Sequence, residues 1–504
     1  MFHFPHLSVP RSRFRLSGPL RLTTLTTLSA VAAAAAMLLL AGCTTVGPDY
    51  EGAPAVAVDA LQRSRFKRDD GATGATPQAS AGAPAPVAAA WWRALGDATL
   101  DGLIEQALSQ SPTLQAAEAR LRSARAAFSA QEANRGPKGS ASALGAGVWQ
   151  GPGTDHENSL HLYSVGFDAT WEVDLFGGTR RAVEAASAQA QAVQADLADA
   201  QVSLAAEVAS TYVGLRAQQG RQALLRDTAA IDAQALTLVR QRRDQGVATA
   251  DDVEQRTQQL ESTRASLADV AAEIAAALDR LALLTAQAPG ALDEQLSATT
   301  PELPRAPDSV AIGDPASLLQ RRPDIRAAER RLAGRNAQIG QETAKYFPKL
   351  SLLGNLGVAG TSPGQLLRTD NLALAAVPYL SWNFLDFGRT AAAVRGAEAD
   401  RDEAIANYRS AVLGALQDAN TSLARFGRQR QTVQHLLAQQ GATGRTLDLT
   451  RQRRQAGAAS QIDLLDAQRR DIEVRLKALD GESALLKDFV ALQKSLGLGW
   501  DLRA

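Results

Sequence analysis

The stretch Trp171-Glu172-Val173-Asp174-Leu175-Phe176-Gly177-Gly178-Thr179 returns later in the chain as Trp382-Asn383-Phe384-Leu385-Asp386-Phe387-Gly388-Arg389-Thr390. The spacing is 382 − 171 = 211 positions. Working outward at that one offset, without a gap, Arg240-Gln241-Arg242-Arg243 falls on Arg451-Gln452-Arg453-Arg454, Gly246 on Gly457 and Asp252 on Asp463. Upstream, Pro112 falls on Pro323, Ala116-Ala117-Glu118 on Ala327-Ala328-Glu329, and Pro137-Lys138 on Pro348-Lys349. Alanine-rich segments match one another by chance, but paired Trp, Pro and Gly at a single offset do not. The chain is a tandem duplication.

The 504 residues carry 53 basic and 53 acidic side chains and only 5% aromatics. Such a composition favours long helices over a thick core, and it offers no basic excess to attract nucleic acid. Residues 1–42 contain Arg11, Arg13, Arg15 and Arg21, no acidic residue, and an apolar run from Leu28 to Ala41 that is short for a membrane span. They read as a signal peptide. Its removal leaves 53 − 4 = 49 basic side chains against 53 acidic ones. The segment ends Leu40-Ala41-Gly42-Cys43, and Cys43 is the only cysteine, so an intrachain disulfide is impossible. Small residues before a cysteine at the end of an apolar run have the form of a bacterial lipobox. Cys43 is therefore expected to carry covalent lipid, with Thr44 after it pointing to the outer membrane, and no other cofactor is expected.

Residues 43–95 are Pro-, Ala- and Gly-rich, close to low complexity from Gly71 to Ala90, and read as an extended lipid-anchored arm. The first repeat is placed at 96–285, a Pro-rich linker with little helix at 286–315, and the second repeat at 316–504. Ser111-Pro112 supplies a cap and a first helical residue for a helix running to about Arg135. Tyr163, Val165, Phe167, Ala169, Trp171 and Val173 then alternate with Ser164, Gly166, Asp168, Thr170, Glu172 and Asp174. One face is apolar and the other polar, over a length that approaches what a tilted strand needs to cross a bilayer. The second copy repeats the hairpin with Leu350, Leu352, Leu356 and Val358, a tip near Ser362-Pro363-Gly364, and a strand from Leu372 through Trp382 to Phe384. Four strands cannot close a barrel, and open edges are not tolerated in lipid, so a membrane strand pair demands several chains.

No proline occurs between Gly178 and Pro289, and helical pattern runs from about Thr179 to Gln245. Gly246 ends it, Thr249 with Asp252 forms a capping box, and Val253, Leu260, Leu267, Ile274 and Leu281 recur every seven residues. Gly457, Ser460 and Asp463 repeat the turn and cap, followed by Leu465, Ile472, Leu479 and Leu486. His156, His161 and His435 are scattered without a third ligand, so no metal site is expected. No acid, base and nucleophile converge on one motif, and no enzymatic activity is expected.

Taken together, Cys43-Thr44-Thr45-Val46-Gly47-Pro48-Asp49-Tyr50 after the lipobox, Trp91-Trp92 before the first helix, and the corners Asp174-Leu175-Phe176-Gly177 and Asp386-Phe387-Gly388 resemble the lipoprotein branch of the TolC-like outer membrane factor family. The resemblance implies a membrane α/β fold: a homotrimer with four strands per chain making a twelve-stranded outer-membrane barrel, continued by a coiled-coil periplasmic tunnel. It implies the exit duct of a tripartite efflux pump, opened at its periplasmic tip by an adaptor and an inner-membrane pump. Asp463 and Asp466 would narrow that tip, with Arg454 beside it, and the turns Gly246-Val247 and Gly457-Ala458 would meet the adaptor. Arg454 and Ala459 depart from the family pattern, where an aromatic and an arginine are often found. Two other functions share parts of this pattern. A type I protein secretion channel uses the same duct, whereas a periplasmic adaptor or structural coiled-coil lipoprotein has one helical hairpin and no amphipathic strand pairs.

The lipobox generates a direct expectation. Intact mass spectrometry of the mature protein should show Cys43 at the N-terminus carrying acyl chains; a free thiol, or an N-terminus elsewhere, would exclude lipidation.

Overall fold

A computed structural model describes residues 45–68, 90–148, 160–297, 302–310 and 312–500. The signal segment, Cys43, and the first hairpin tip from Gly151 to Ser159 with His156 lie outside the described residues. The main elements are α1 (Ala98–Gln110), α2 (Pro112–Ala133), β1 (Lys138–Val148), β2 (Leu160–Val173), α3 (Gly178–Asp244), α4 (Ala250–Leu284), α5 (Pro323–Thr343), β3 (Lys349–Gly360), β4 (Leu372–Ser381), α6 (Arg389–Gln455) and α7 (Gln461–Ser495). In the long helices the duplication is reproduced residue for residue: α3 and α6 each span 67 residues, and α4 and α7 each span 35. At the α-helical rise, α3 is about 100 Å long.

Two compact units are formed, and each repeat contributes to both. The first holds Arg135–Arg181, Gly340–Thr390 and the arm up to Gly47. Its four strands form one antiparallel sheet in the order β1-β2-β3-β4. Register places Ala141 opposite Phe167, Phe167 opposite Leu356, and Leu356 opposite Leu374, so one face is continuously apolar. Phe167 is 67% exposed and Leu374 80% exposed on that face. The other face carries Ser142, Asp168 and Asn355, where the Ser142 hydroxyl and the Asn355 amide donate to Asp168 at 2.6 and 2.7 Å.

Each corner is fixed by a tryptophan. Trp171 Nε1 donates to the Arg135 carbonyl at 2.9 Å, and Trp382 Nε1 donates to the Tyr346 carbonyl at 2.9 Å. The bonds are repeat-equivalent. Strand β4 stops at Ser381, three residues short of the Phe384 expected from alternation. There Trp382 turns to Tyr346, and the Asp386 carboxylate accepts from Gly388 N and Thr390 N at 2.9 and 2.8 Å to start α6.

The arm is not a loose tether where it is described. Val46 N donates to the Phe176 carbonyl at 3.0 Å, and buried Arg181 donates to the carbonyls of Val46 and Gly47 at 3.2 Å each. Gly47 has φ +86°, and a Cβ there would lie 2.3 Å from Gly340 Cα, so both positions are restricted to glycine by close backbone approach.

The second unit holds Pro48–Asn134, Ala182–Ile339 and Ala391–Ala504. Its core gathers Trp91, Trp92, Tyr212, Phe426 and Phe489, with Trp91 edge-on to Phe489 at 5.9 Å between ring centroids. Asp97 caps α1 by accepting from Thr99 N and Leu100 N, and the Tyr212 hydroxyl donates to its other oxygen at 2.7 Å. Burial and this hydrogen bond push the Tyr212 phenol up to about 12. Ser111, expected to cap α2, makes no side-chain cap bond; it is buried, and Pro112 alone opens the helix. The stretch expected to be a linker, 286–315, contributes described residues to this core. Leu292, Leu296, Val310 and Ile312 are buried, Asp293–Ser297 forms a helical turn, and Arg216 donates to the Leu296 carbonyl at 3.0 Å. Its prolines break helix periodicity without removing its apolar side chains from the core.

The Gly47 to Gly340 contact can be tested directly. A Cβ at 340 would lie 2.8 Å from the Val46 carbonyl oxygen, whereas one at Gly364 meets nothing within 4 Å. Gly340→Ala should lower stability by about 1–3 kcal/mol and expose the arm to protease, with Gly364→Ala neutral, in denaturation and limited proteolysis.

Candidate functional site

The helix pairs α3/α4 and α6/α7 each end in an exposed turn closed by the same backbone geometry. Gly246 and Gly457 both have φ +77°, the left-handed conformation that lets glycine stop a helix. Val247 N donates to the Arg242 carbonyl and Ala458 N to the Arg453 carbonyl, each at 2.8 Å. Val247 is 63% exposed. Both capping boxes form: Thr249 and Asp252 bond reciprocally at the start of α4, and Ser460 and Asp463 at the start of α7. Hydrogen bonds from the Ser460 hydroxyl and backbone hold the Asp463 carboxyl below its ordinary range, and those from the Thr249 backbone and hydroxyl do the same for Asp252. A depressed carboxylate stabilises the fold above its unfolded pKa of ~3.9, and that contribution is lost as pH falls through the folded value. Arg454 donates to the Gln461 side-chain carbonyl at 3.2 Å and stays exposed.

Asp466 is placed differently from Asp463. It lies one turn further into α7, past the first turn, and receives a two-pronged ion pair from Arg256 of α4 at 2.7 and 3.1 Å. Both side chains are mostly covered, at 22% and 30% exposure, and the Asp466 carboxylate holds the Arg256 pKa above its usual value. Deeper still, Asp232 of α3 is buried and accepts from Gln259 and Thr263 at 2.8 Å each. Arg469 of α7 approaches it at 3.2 Å and also bonds Glu473. Arg256, Gln259, Asp466, Arg469 and Glu473 line a cleft of about 560 Å³ with Arg242, Asp252 and Arg470. Leu236 and Val239 of α3 and Val253 and Leu260 of α4 form one buried apolar cluster, and Ile462 of α7 packs against it.

Sequence reading thus located the turns and caps but missed Arg256, Asp232 and Arg469. Arg256 and Asp466 are 210 positions apart, one off the repeat, so repeat symmetry gives no signal of their pairing. Among the described residues no His, Cys, Asp and Glu cluster has metal-binding geometry.

A sheet with one apolar face and two hairpins from a duplicated chain, together with long paired helices ending in built turns, defines the subunit of an outer-membrane channel. Comparison with known proteins specifies the class. The family model described as outer membrane efflux protein matches residues 103–287 and 315–498, once in each repeat. The chain belongs to the outer membrane efflux protein family and is an outer-membrane exit duct of efflux. It is 29% identical to outer membrane protein OprJ of Pseudomonas aeruginosa over 467 residues, covering 92% of this chain and 94% of that one. It is 32% identical to the pyoverdine export outer membrane protein OpmQ of the same species, covering 81% and 87%. Among solved structures, the outer-membrane channel OprN superposes with TM-score 0.78 at 34% identity, covering 90% of this chain and 99% of that one. Family membership sets aside the adaptor and structural coiled-coil readings.

The coupling between α4 and α7 is measurable. Arg256→Gln and Asp466→Asn should each destabilise the protein, and a double-mutant cycle should give a coupling of roughly 1–3 kcal/mol, as for a partly covered charged hydrogen bond. Additive effects in denaturation would show the pair to be energetically idle.

Proposed function

We propose that three copies of this chain close a twelve-stranded barrel in the outer membrane, continued by a helical tunnel into the periplasm. Small molecules, drugs among them, leave through it passively, and energy comes from an inner-membrane pump. The observation that carries the reading is the open sheet: β1 and β4 have no neighbour on their outer sides among the described residues, and hydrocarbon offers their backbone groups no partner. The turns at Gly246, Val247, Gly457 and Ala458 are the surfaces that meet a periplasmic adaptor. Asp463, Asp466 and Arg454 form the closed periplasmic gate, with Asp466 held shut by Arg256. Lipid on Cys43 anchors the arm in the inner leaflet.

Mass photometry or native mass spectrometry of detergent-extracted protein should give three chains, and Asp466→Asn should raise conductance in planar bilayers over wild type. A monodisperse single chain with full strand content would refute the barrel, and equal conductance would refute the role of Asp466 in the gate.

A further inference from the structure

Four of the six residues from Arg63 to Arg68 are basic: Arg63, Arg65, Lys67 and Arg68. All four are exposed, and among the described residues none makes a hydrogen bond or ion pair. By contrast, exposed Arg93, Arg221 and Arg331 of the same unit are matched by Glu105, Asp480 and Asp196. Asp59 precedes the cluster, and Asp69 and Asp70, outside the described residues, follow it in sequence. The cations are held in place by their neighbour. Phe66, between Arg65 and Lys67, is 4% exposed and belongs to the main core of the second unit, and Val56, Ala60 and Leu61 pack partly buried against that core. Burial of the one aromatic ring fixes the segment and leaves the charges on either side of it facing outward.

The chemistry of the patch selects its partner. From Gln62 to Arg68 the only apolar side chain is Phe66, and it is buried, so a folded protein would find no apolar centre here from which to exclude water. A flexible polyanion needs only the charges. Lipid headgroups are a second source of anions, and depth argues against them. On α3 the buried core begins at Leu204, 204 − 182 = 22 residues after the helix enters this unit, or about 33 Å along it, whereas headgroups extend only roughly 5–8 Å beyond the hydrocarbon.

We infer that Arg63, Arg65, Lys67 and Arg68 form a docking surface for a carboxylate-bearing polymer of the periplasm, the peptide-crosslinked glycan of the cell wall, whose stem peptides carry free carboxylates. This rests on the proposed placement of the helical unit in the periplasm and adds a lateral contact that a duct does not itself require. Guanidinium and ammonium groups meet carboxylates through charge-assisted hydrogen bonds. Because these groups are exposed, each pair is weak and screened by salt, and retention comes from several pairs acting together on one polymer.

Co-sedimentation of the detergent-purified mature protein with isolated cell-wall sacculi tests the contact, with the oligomeric state read in parallel by native mass spectrometry. Wild-type protein should pellet with sacculi at low salt and be released as salt rises. Arg63→Ser, Arg65→Ser, Lys67→Ser and Arg68→Ser combined, with Phe66 kept, should cut retention several-fold while leaving the chain assembled, and Asp69→Asn with Asp70→Asn should raise it. Sacculi whose carboxylates have been amidated should retain none of the three. Equal retention of wild type and the fourfold variant overturns the docking surface. So does loss of retention when phosphatidylglycerol replaces zwitterionic lipid in nanodiscs, which would assign the patch to headgroups. Wild-type protein that is a single chain overturns the proposed duct instead, whatever it does with sacculi.

Discussion

A backbone N–H or carbonyl left unpaired in hydrocarbon costs several kcal/mol, and no side-chain choice removes that cost. Among the described residues three ladders satisfy the inner strands and leave the outer sides of β1 and β4 open. Everything distinctive about the sheet answers to that constraint: strands longer than soluble ones usually need, an apolar face exposed to what surrounds it, and a polar face where Asp168 keeps two hydrogen bonds. Duplication fits the same constraint. A hairpin that satisfies its edge with its own copy can be fused to that copy without changing register, and the hairpins here are in equivalent register.

Fusion also allowed the repeats to diverge. At the seam inside the chain, Arg181 holds the carbonyls of Val46 and Gly47, and Gly340 admits the arm. At the 211 offset Arg181 becomes Ala392 and Gly340 becomes Ser129, so the second corner has neither the guanidinium nor the bare backbone needed to hold such a segment. One arm per chain thus matches one corner per chain, and the arm breaks the near equivalence of the repeats.

The legible parts of this fold were those governed by local rules. Period-two alternation gave the strands, uninterrupted helical pattern gave α3 and α6, and glycine followed by a hydroxyl and an aspartate three residues on gave the turns and caps. Repetition at one offset gave their arrangement in two copies. Features decided by distant contacts were not legible. Leu292, Leu296, Val310 and Ile312 enter the core from a stretch whose prolines look like a linker, and the short stretch Thr45–Gly47 is fixed by Arg181, which lies in another element. The pairing of Arg256 with Asp466 falls one position off the repeat, so the partner of a residue singled out from sequence stayed hidden.

That hidden partner changes how the charges at the paired turns act. An unpaired Asp466 repeated around a threefold axis would be a ring of like charges, costly to bring together. With Arg256 held at 2.7 Å, each Asp466 carboxylate is compensated inside its own chain, while Asp463 beside the Gly457 turn and Asp252 beside the Gly246 turn stay exposed. The turns themselves are exposed, while the pairs that join α7 to the α3/α4 hairpin, Arg256 with Asp466 and Arg469 with Asp232, sit further in and are more covered. On the proposed function, separating α7 from that hairpin leaves half-buried charges unpaired, at about 1–3 kcal/mol for each. A partner gripping the accessible turns must offset that cost through its own binding, which places the lock and the handle on the same helices but at different depths.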